Sequence, residues 1–264
     1  MRRARRTVAA LLAAATLALS GCSGGPTGSA AKPTATPPSD SFQLVAALAW
    51  SSHQSSSVYI QQNVSGGRLW INTQVTGVLD GGKHNARLQL SQTRVTDDVE
   101  ILVVDNQPYV KWTPADRQYA QIDLDQLAFV ASPLRLAVDP TVNLGLLDGA
   151  ADVKQTIPGT FRGTIDFAKA RRIMEMVQMT PWLADFYDAA ITGMKTSPSP
   201  ATFVVHVDDE KRILDFTLSD AYLMCGQAVC RMNLSMRFKD FGTKVEVAPP
   251  TGVRKATEAD YERL

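Results

Sequence analysis

The chain has 264 residues, with 27 Lys and Arg against 26 Asp and Glu, 45% hydrophobic residues and three cysteines. This composition excludes an intrinsically disordered chain and a miniprotein held together by many disulfides. Four arginines and no acidic residue precede Cys22, so the chain from Cys22 onward carries 23 basic against 26 acidic residues. Its slightly acidic balance disfavours nucleic acid as a partner, because phosphate binding requires a basic surface.

The N-terminus carries the pattern of an export signal. Arginines open the chain, and an uncharged apolar run of 14 residues covers positions 7–20. A transmembrane helix needs roughly 20 such residues, so we expect none in the mature protein. The run instead matches the apolar region of a signal peptide.

The residues at the end of this run, Leu19-Ser20-Gly21-Cys22, resemble a bacterial lipobox. The resemblance implies a signal peptide at residues 1–21, cleavage after Gly21 and a diacylglyceryl group on the Cys22 thiol. Two acyl chains are enough for stable membrane anchoring, so the expected location is the outer face of the plasma membrane. An ordinary secretory leader stays open as an alternative, as does twin-arginine export through Arg5-Arg6.

Residues 22–40 predict a lipidated cysteine followed by a flexible tether. Between residues 23 and 40, 16 of 18 positions are Gly, Ser, Thr, Pro or Ala. Such a segment has no bulky side chains to bury and cannot form a core. As a flexible coil it would hold the body on the order of 20 to 25 Å from the membrane.

The first half of the body predicts one helix followed by an antiparallel meander. Ser39 or Asp40 can cap the helix. The apolar residues of this helix, Phe42, Val45, Ala46 and Ala49, recur at helical spacing. Alternating segments separated by turn residues then predict strands. These segments cover residues 58–64, 69–79, 84–94, 99–104, 109–112 and 119–122.

The second half predicts helices and further hairpins. Helical patterns cover residues 123–130, 141–147, 167–179 and 182–191, with Asp166 as a cap for the third. Strand patterns cover residues 152–157, 161–165, 203–207, 213–224, 225–230, 232–238 and 245–247. The fold class is therefore α+β, with one domain at residues 41–250 and a polar tail at 251–264.

Several local motifs in this order resemble the LppX/LprG group of actinobacterial lipoproteins, relatives of the LolA and LolB carriers. Besides the lipobox and linker, they are the hairpin Val103-Val104-Asp105-Asn106-Gln107-Pro108-Tyr109-Val110-Lys111, the segment Phe161-Arg162-Gly163-Thr164-Ile165-Asp166, the hairpin Val205-His206-Val207-Asp208-Asp209-Glu210-Lys211-Arg212-Ile213, and the ending from Lys239-Asp240-Phe241-Gly242-Thr243 to Ala248-Pro249-Pro250. The resemblance implies a strongly curved antiparallel half-barrel of about 11 to 12 strands, with helices on its concave side. It also implies an apolar cavity for the acyl chains of lipids or lipoglycans, and no catalytic residues.

An apolar strip supplies the candidate cavity wall. Along residues 231–238 apolar and polar side chains alternate, so the apolar ones share one sheet face. The candidates from this and neighbouring strands are Leu88, Leu90, Leu214, Phe216, Met232, Leu234, Met236 and Phe238. Flexible methionines suit a surface that repacks around variable chains. Ordinary core packing is the alternative for the same residues.

Cys225 and Cys230 predict a disulfide across a hairpin, since an exported protein meets an oxidising environment. A metal site is disfavoured because no further Cys or His lies nearby in the sequence. His53, His84 and His206 are far apart along the chain, and no hydrolase or nucleotide-binding motif occurs. We therefore expect no metal, no cofactor and no enzymatic activity.

The leading hypothesis is a monomeric, membrane-tethered, non-catalytic carrier or sensor of amphiphiles. An envelope lipoprotein that binds and signals through a partner protein is the alternative. An envelope hydrolase is the third and least supported class. A closed apolar cavity would favour the first class, an exposed apolar patch the second, and His with carboxylates in a cleft the third.

Overall fold

The computed structural model describes residues 39–67, 69–93, 97–127, 134–135, 143–176 and 181–264. The signal peptide, Cys22 and most of the tether lie outside the described residues. Residues 38–264 form one compact unit. Within the described ranges, no helix is both long and apolar enough to cross a membrane.

The dominant element is one sheet of twelve strands. In chain order β1 to β12 are Ser55–Gly66, Leu69–Asp80, Asn85–Gln92, Asp98–Val104, Gln107–Thr113, Ala120–Gln121, Ala150–Ile157, Thr160–Ile165, Thr202–Val207, Ile213–Cys225, Ala228–Lys239 and Arg254–Lys255. Their spatial order is β12-β6-β5-β4-β3-β2-β1-β11-β10-β9-β8-β7. The sheet is curved and does not close, so the half-barrel predicted from the sequence is confirmed.

The strands follow from the alternation in the sequence. Along β1 every second side chain is buried, as expected when one face of a sheet is covered and the other meets water. Neighbouring strands pair antiparallel, except that the short β12 pairs parallel to β6. Residues 245–247, which the sequence predicts as a strand, lie outside regular structure.

The helices pack against the buried face of the sheet. They are α1 Asp40–Ser51, α2 Phe167–Glu175, α3 Pro181–Met194 and α4 Glu258–Glu262, with 3-10 turns at Leu124–Gln126 and Gly145–Gly149. Asp166 caps α2 as predicted, accepting a hydrogen bond of 3.0 Å from the Lys169 amide. Leu44 of α1 and Phe186 and Tyr187 of α3 join the strand residues in one hydrophobic core.

The C-terminal segment belongs to the domain, which extends to Leu264 rather than ending near residue 250. Arg254 donates to Asp260 Oδ1 over 2.8 Å and to Asp116 over 3.4 Å. The Arg263 guanidinium lies 4.3 Å from the Trp112 ring centre. The segment predicted as a polar tail is thus joined to the sheet by charged contacts, and its Ala256, Tyr261 and Leu264 pack against the core.

Candidate functional site

All but one of the candidate cavity-wall residues lie in the hydrophobic core. Buried there are Leu88, Leu90, Phe216, Met232, Leu234, Met236 and Phe238. Gln62 shares this face, and its Nε2 lies 3.4 Å from the Met232 sulfur. None of these residues lines a pocket described below, so their role in a cavity wall stays a prediction.

Leu214 is the exception, and its predicted position on the buried face is wrong. It is 38% exposed. Ile213 pairs with Val207 and Asp215 pairs with His206, so β10 uses one extra residue at Leu214. This β-bulge shifts the alternation by one position, which turns Leu214 to the solvent face.

The apolar residues that predicted helix α1 lie on its exposed face. The stripe Phe42, Val45, Ala46 and Ala49 is solvent-exposed, whereas Leu44, Ala47 and Leu48 are buried. Helix α1 is therefore apolar on two sides, and only one side is used by the core. Phe42 is 64% exposed and Val45 is 52% exposed.

A pocket of about 290 Å³ opens beside this exposed face, and we call it the α1 pocket. Helix α1, the 3-10 turn and α2 contribute its lining residues, which are Val45, Leu48, Ala49, Ser52, Gly145, Asp148 and Met174. A Cβ atom on Gly145 would lie 3.4 Å from the Met174 sulfur, so the absence of a side chain there leaves room. The wall is mostly hydrocarbon and thioether, which suits an apolar ligand.

One acidic side chain, Asp148, lies in this apolar wall. Burial raises the pKa of Asp148, and the nearby Lys169 partly opposes that rise. Burial, with a smaller contribution from the charge of Asp148, also raises the pKa of Tyr187. The Tyr187 hydroxyl is buried and has no hydrogen-bond partner among the described residues. The pocket therefore combines an apolar wall with a carboxyl group whose pKa is raised by burial.

Exposed apolar side chains continue beyond the pocket. Phe42 lies one turn before Val45 on α1, and Met176, which is 77% exposed, follows Met174 by two residues. Ile157 at the end of the edge strand β7 is also exposed. Large apolar side chains are thus exposed on three elements, α1, β7 and the end of α2.

Cys225 and Cys230 lie close together at the end of the β10–β11 hairpin. Their Cα atoms are 5.9 Å apart, inside the range of disulfides, and their sulfur atoms are adjacent. Leu223, not Cys225, is the register partner of Cys230. The proximity of the two cysteines agrees with the sequence prediction, and the bond itself is tested below.

The remaining titratable candidates do not assemble into one site. His206 Nδ1 lies 2.6 Å from Asp215 Oδ1 on the solvent face of the sheet. His53 and His84 belong to other turns of the chain. Over the described ranges, no group of three or more His, Cys, Asp or Glu side chains is arranged to hold a metal ion.

Comparison with known proteins gives only weak likenesses. No protein-family model matches the chain, and no curated protein matches it. MucB in its complex with MucA from Pseudomonas aeruginosa is similar at 14% identity and a TM-score of 0.32, over 80% of this chain and 59% of that chain. A second structure of MucB gives 14% identity and a TM-score of 0.30, over 79% and 60%.

A DUF1329 family protein from Desulfovibrio piger is similar at 11% identity and a TM-score of 0.28, over 79% of this chain and 93% of that chain. The chain spans about three fifths of the length of the MucB chains that it matches. Likenesses this weak carry no argument about function. The resemblance to the LppX/LprG group stays a prediction from the sequence.

Proposed function

We propose that this chain is a membrane-tethered, non-catalytic protein that binds acyl chains of lipids or lipoglycans on the outer face of the plasma membrane. The observation that carries the proposal is the α1 pocket, an apolar depression beside the unused apolar face of α1. Diacylglyceryl-Cys22 would be its membrane anchor. No metal or cofactor is needed for this function.

The physical basis of binding is removal of hydrocarbon from water. Burial of one methylene group contributes about 0.8 kcal/mol, and an acyl chain that passes from a bilayer to an apolar wall keeps that contribution. Val45, Leu48 and Met174 would contact the chain. The raised pKa of Asp148 makes its neutral form easier to reach, which lowers the cost of placing hydrocarbon beside it.

The position of the pocket in the chain supports a membrane ligand. Helix α1 begins at Asp40, and only 17 residues separate it from Cys22. A flexible linker of that length spans on the order of 20 to 25 Å. The exposed face of α1 is therefore the first folded surface beyond the proposed anchor, within reach of lipid that leaves the bilayer.

The test is a titration with a fluorescent fatty acyl probe. Ala49→Trp should fill the α1 pocket and weaken binding by about tenfold or more, since the bulky ring displaces the chain. Ala46→Trp is the matched control, because Ala46 is exposed on the same helix but does not line the pocket. Unchanged affinity in Ala49→Trp, or an equal loss in both variants, would overturn the proposal.

The exposed side chains outside the pocket favour a second candidate, binding of an envelope protein partner. Phe42 and Met176 are exposed apolar side chains that do not line the pocket, and a partner protein could bury them. Phe42→Ser separates the two functions. It should leave uptake of a short acyl probe unchanged if the pocket binds lipid, and it should abolish capture of a partner that docks on α1.

A further inference from the structure

A second depression lies on the solvent face of the sheet, where β1 lies between β2 and β11. It has a volume of about 520 Å³, and we call it the outer groove. Tyr59 and Gln61 of β1 line it and alternate with the buried Val58 and Ile60. Because neighbouring positions of a strand face opposite sides, the outer groove is separated from the core by the sheet itself.

Beside the groove, β2 and β3 approach each other closely at Gly77. Its φ is +153°, and a Cβ atom there would lie 2.1 Å from the Arg87 carbonyl oxygen of β3. Only glycine permits this backbone conformation and so close an approach of the two strands. Gly77 pairs in register with the buried Val58, whereas the next pair, Tyr59 with Thr76, lines the groove.

Two basic side chains, those of Arg237 and Lys239, lie at one side of the outer groove. Arg237 pairs in register with Tyr59, and Lys239 pairs with Ser57. Neither has an ion-pair partner among the described residues. Asp215 is the register neighbour of Arg237 on β10, but its Oδ1 lies 2.6 Å from His206 Nδ1. The groove therefore presents net positive charge to a ligand.

The other lining groups are suited to hydroxyl-rich molecules. Ser57, Thr76 and Ser235 offer hydroxyls, and Gln61 offers an amide that both donates and accepts hydrogen bonds. Tyr59 adds a ring against which an apolar C–H face can pack. Volumes of about 300 to 1,000 Å³ are usual for small-molecule sites.

We propose that the outer groove binds an acidic saccharide, a sugar that carries carboxylate or phosphate groups. Arg237 would hold the anionic group through two parallel N–H donors, and Lys239 would add a second positive charge. The hydroxyl and amide side chains would bond the sugar hydroxyls. This site is independent of the α1 pocket, because the two lie on opposite faces of the sheet.

Calorimetric titration of the full-length chain tests the proposal with a galacturonate trimer and with mannose 6-phosphate. The wild type should bind at least one of them, and at least about tenfold more tightly than a neutral galactose trimer. The double variant Arg237→Gln/Lys239→Gln should weaken that binding at least about tenfold. Lys195→Gln, which removes an exposed lysine at the end of α3, should leave the affinity unchanged.

Thr76→Trp provides a second variant, which blocks the groove without changing its charge. Thr76 is exposed, so the fold should persist, and saccharide binding should fall as in the double variant. The proposal is overturned if neither probe binds, if Lys195→Gln weakens binding as much as the double variant, or if inorganic phosphate binds as tightly as the saccharides. Equal affinity for a hexaglutamate peptide would also overturn it, in favour of an acidic protein partner.

Discussion

A bulky substitution at Leu234 distinguishes core packing from a ligand cavity, because only a packed core would lose stability. It is 1% exposed and lies between Gln62 of β1 and Leu218 of β10 in the sheet register. Leu234→Trp should overpack this site and lower the free energy of unfolding by roughly 1 to 3 kcal/mol. Chemical denaturation measures the loss, with the exposed Thr76→Trp as the control.

A different result for Leu234→Trp would restore the cavity predicted from the sequence. If stability stays near that of the wild type while uptake of a fluorescent acyl probe falls, the indole ring occupies space that ligand would fill. The apolar strip would then be the binding wall, and the α1 pocket would be at most its entrance.

We predict a disulfide bond between Cys225 and Cys230. Mass mapping of exported protein under non-reducing conditions should show the two joined. Cys225→Ser/Cys230→Ser should lower the free energy of unfolding by roughly 2 kcal/mol, as the chain-entropy model gives for so short a loop. Reduction of the wild type should produce the same loss. Two free thiols in the exported protein would contradict this account.

Residue positions were predictable from the sequence only where the local period is uninterrupted. Alternation assigned Met232 and Leu234 to the buried face, and both are buried. It misplaced Leu214, because a bulge adds one residue to β10 and the sequence carries no Gly or Pro at that point. The buried face of helix α1 did not follow from the sequence, since both of its apolar stripes satisfy helical spacing and only tertiary packing selects one.

At the scale of elements, the C-terminal segment shows how charge anchors a short strand and helix. Arg254 of β12 pairs with Asp260 of α4, and the Thr257 amide donates to the same carboxylate over 2.7 Å. The hydrogen-bonded Arg254 guanidinium lowers the pKa of Asp260 to about 2. The ordinary pKa of this group is near 4, so the folded state favours the carboxylate.

This shift predicts the pH dependence of the segment. The Asp260 carboxylate stabilises the fold by roughly 2 kcal/mol above pH of about 4, and this contribution is lost as the pH falls from about 4 towards 2. Asp260→Asn should remove that contribution at neutral pH and flatten stability across the window. Denaturant titrations at several pH values measure it. Asp209→Asn, at an exposed position, should retain the wild-type profile.

Most strands were predictable because their alternation is regular and turn residues separate them. The segment at residues 245–247 alternates too, yet it forms no strand, since a strand requires a pairing neighbour that the sequence does not specify. The two-residue β12 is too short to give any periodic signal. Its place beside β6 depends on charged contacts between residues far apart in the chain, such as Arg254 with Asp116.

At the scale of the whole molecule, the folded body carries an apolar α1 pocket and a polar outer groove on the other side of the sheet. The half-barrel could be expected from the sequence, but neither depression could. Both depend on elements distant in sequence that lie together, α1 with α2 in one case and β1 with β11 in the other. For the α1 pocket Gly145 was the available signal, and a lone glycine does not specify a site.

We predict that attachment of the protein to the membrane depends on Cys22. Cys22→Ala should leave the precursor without lipid and uncleaved by the lipoprotein route, because only the thiolate is nucleophilic enough to accept the diacylglyceryl group. Metabolic labelling with a radioactive fatty acid measures lipidation, and a mature-size shift on gels measures cleavage. Normal labelling of the variant would show that another residue is modified.

Binding of acyl chains at the α1 pocket is the property on which the proposed function depends. Native mass spectrometry of the full-length chain, purified from its own membrane in mild detergent, tests it most directly. The account predicts that the wild type and Ala46→Trp retain a noncovalent lipid in addition to the covalent anchor, whereas Ala49→Trp retains none. A wild-type protein that carries no noncovalent lipid, or an Ala49→Trp variant that carries as much as the wild type, would contradict it.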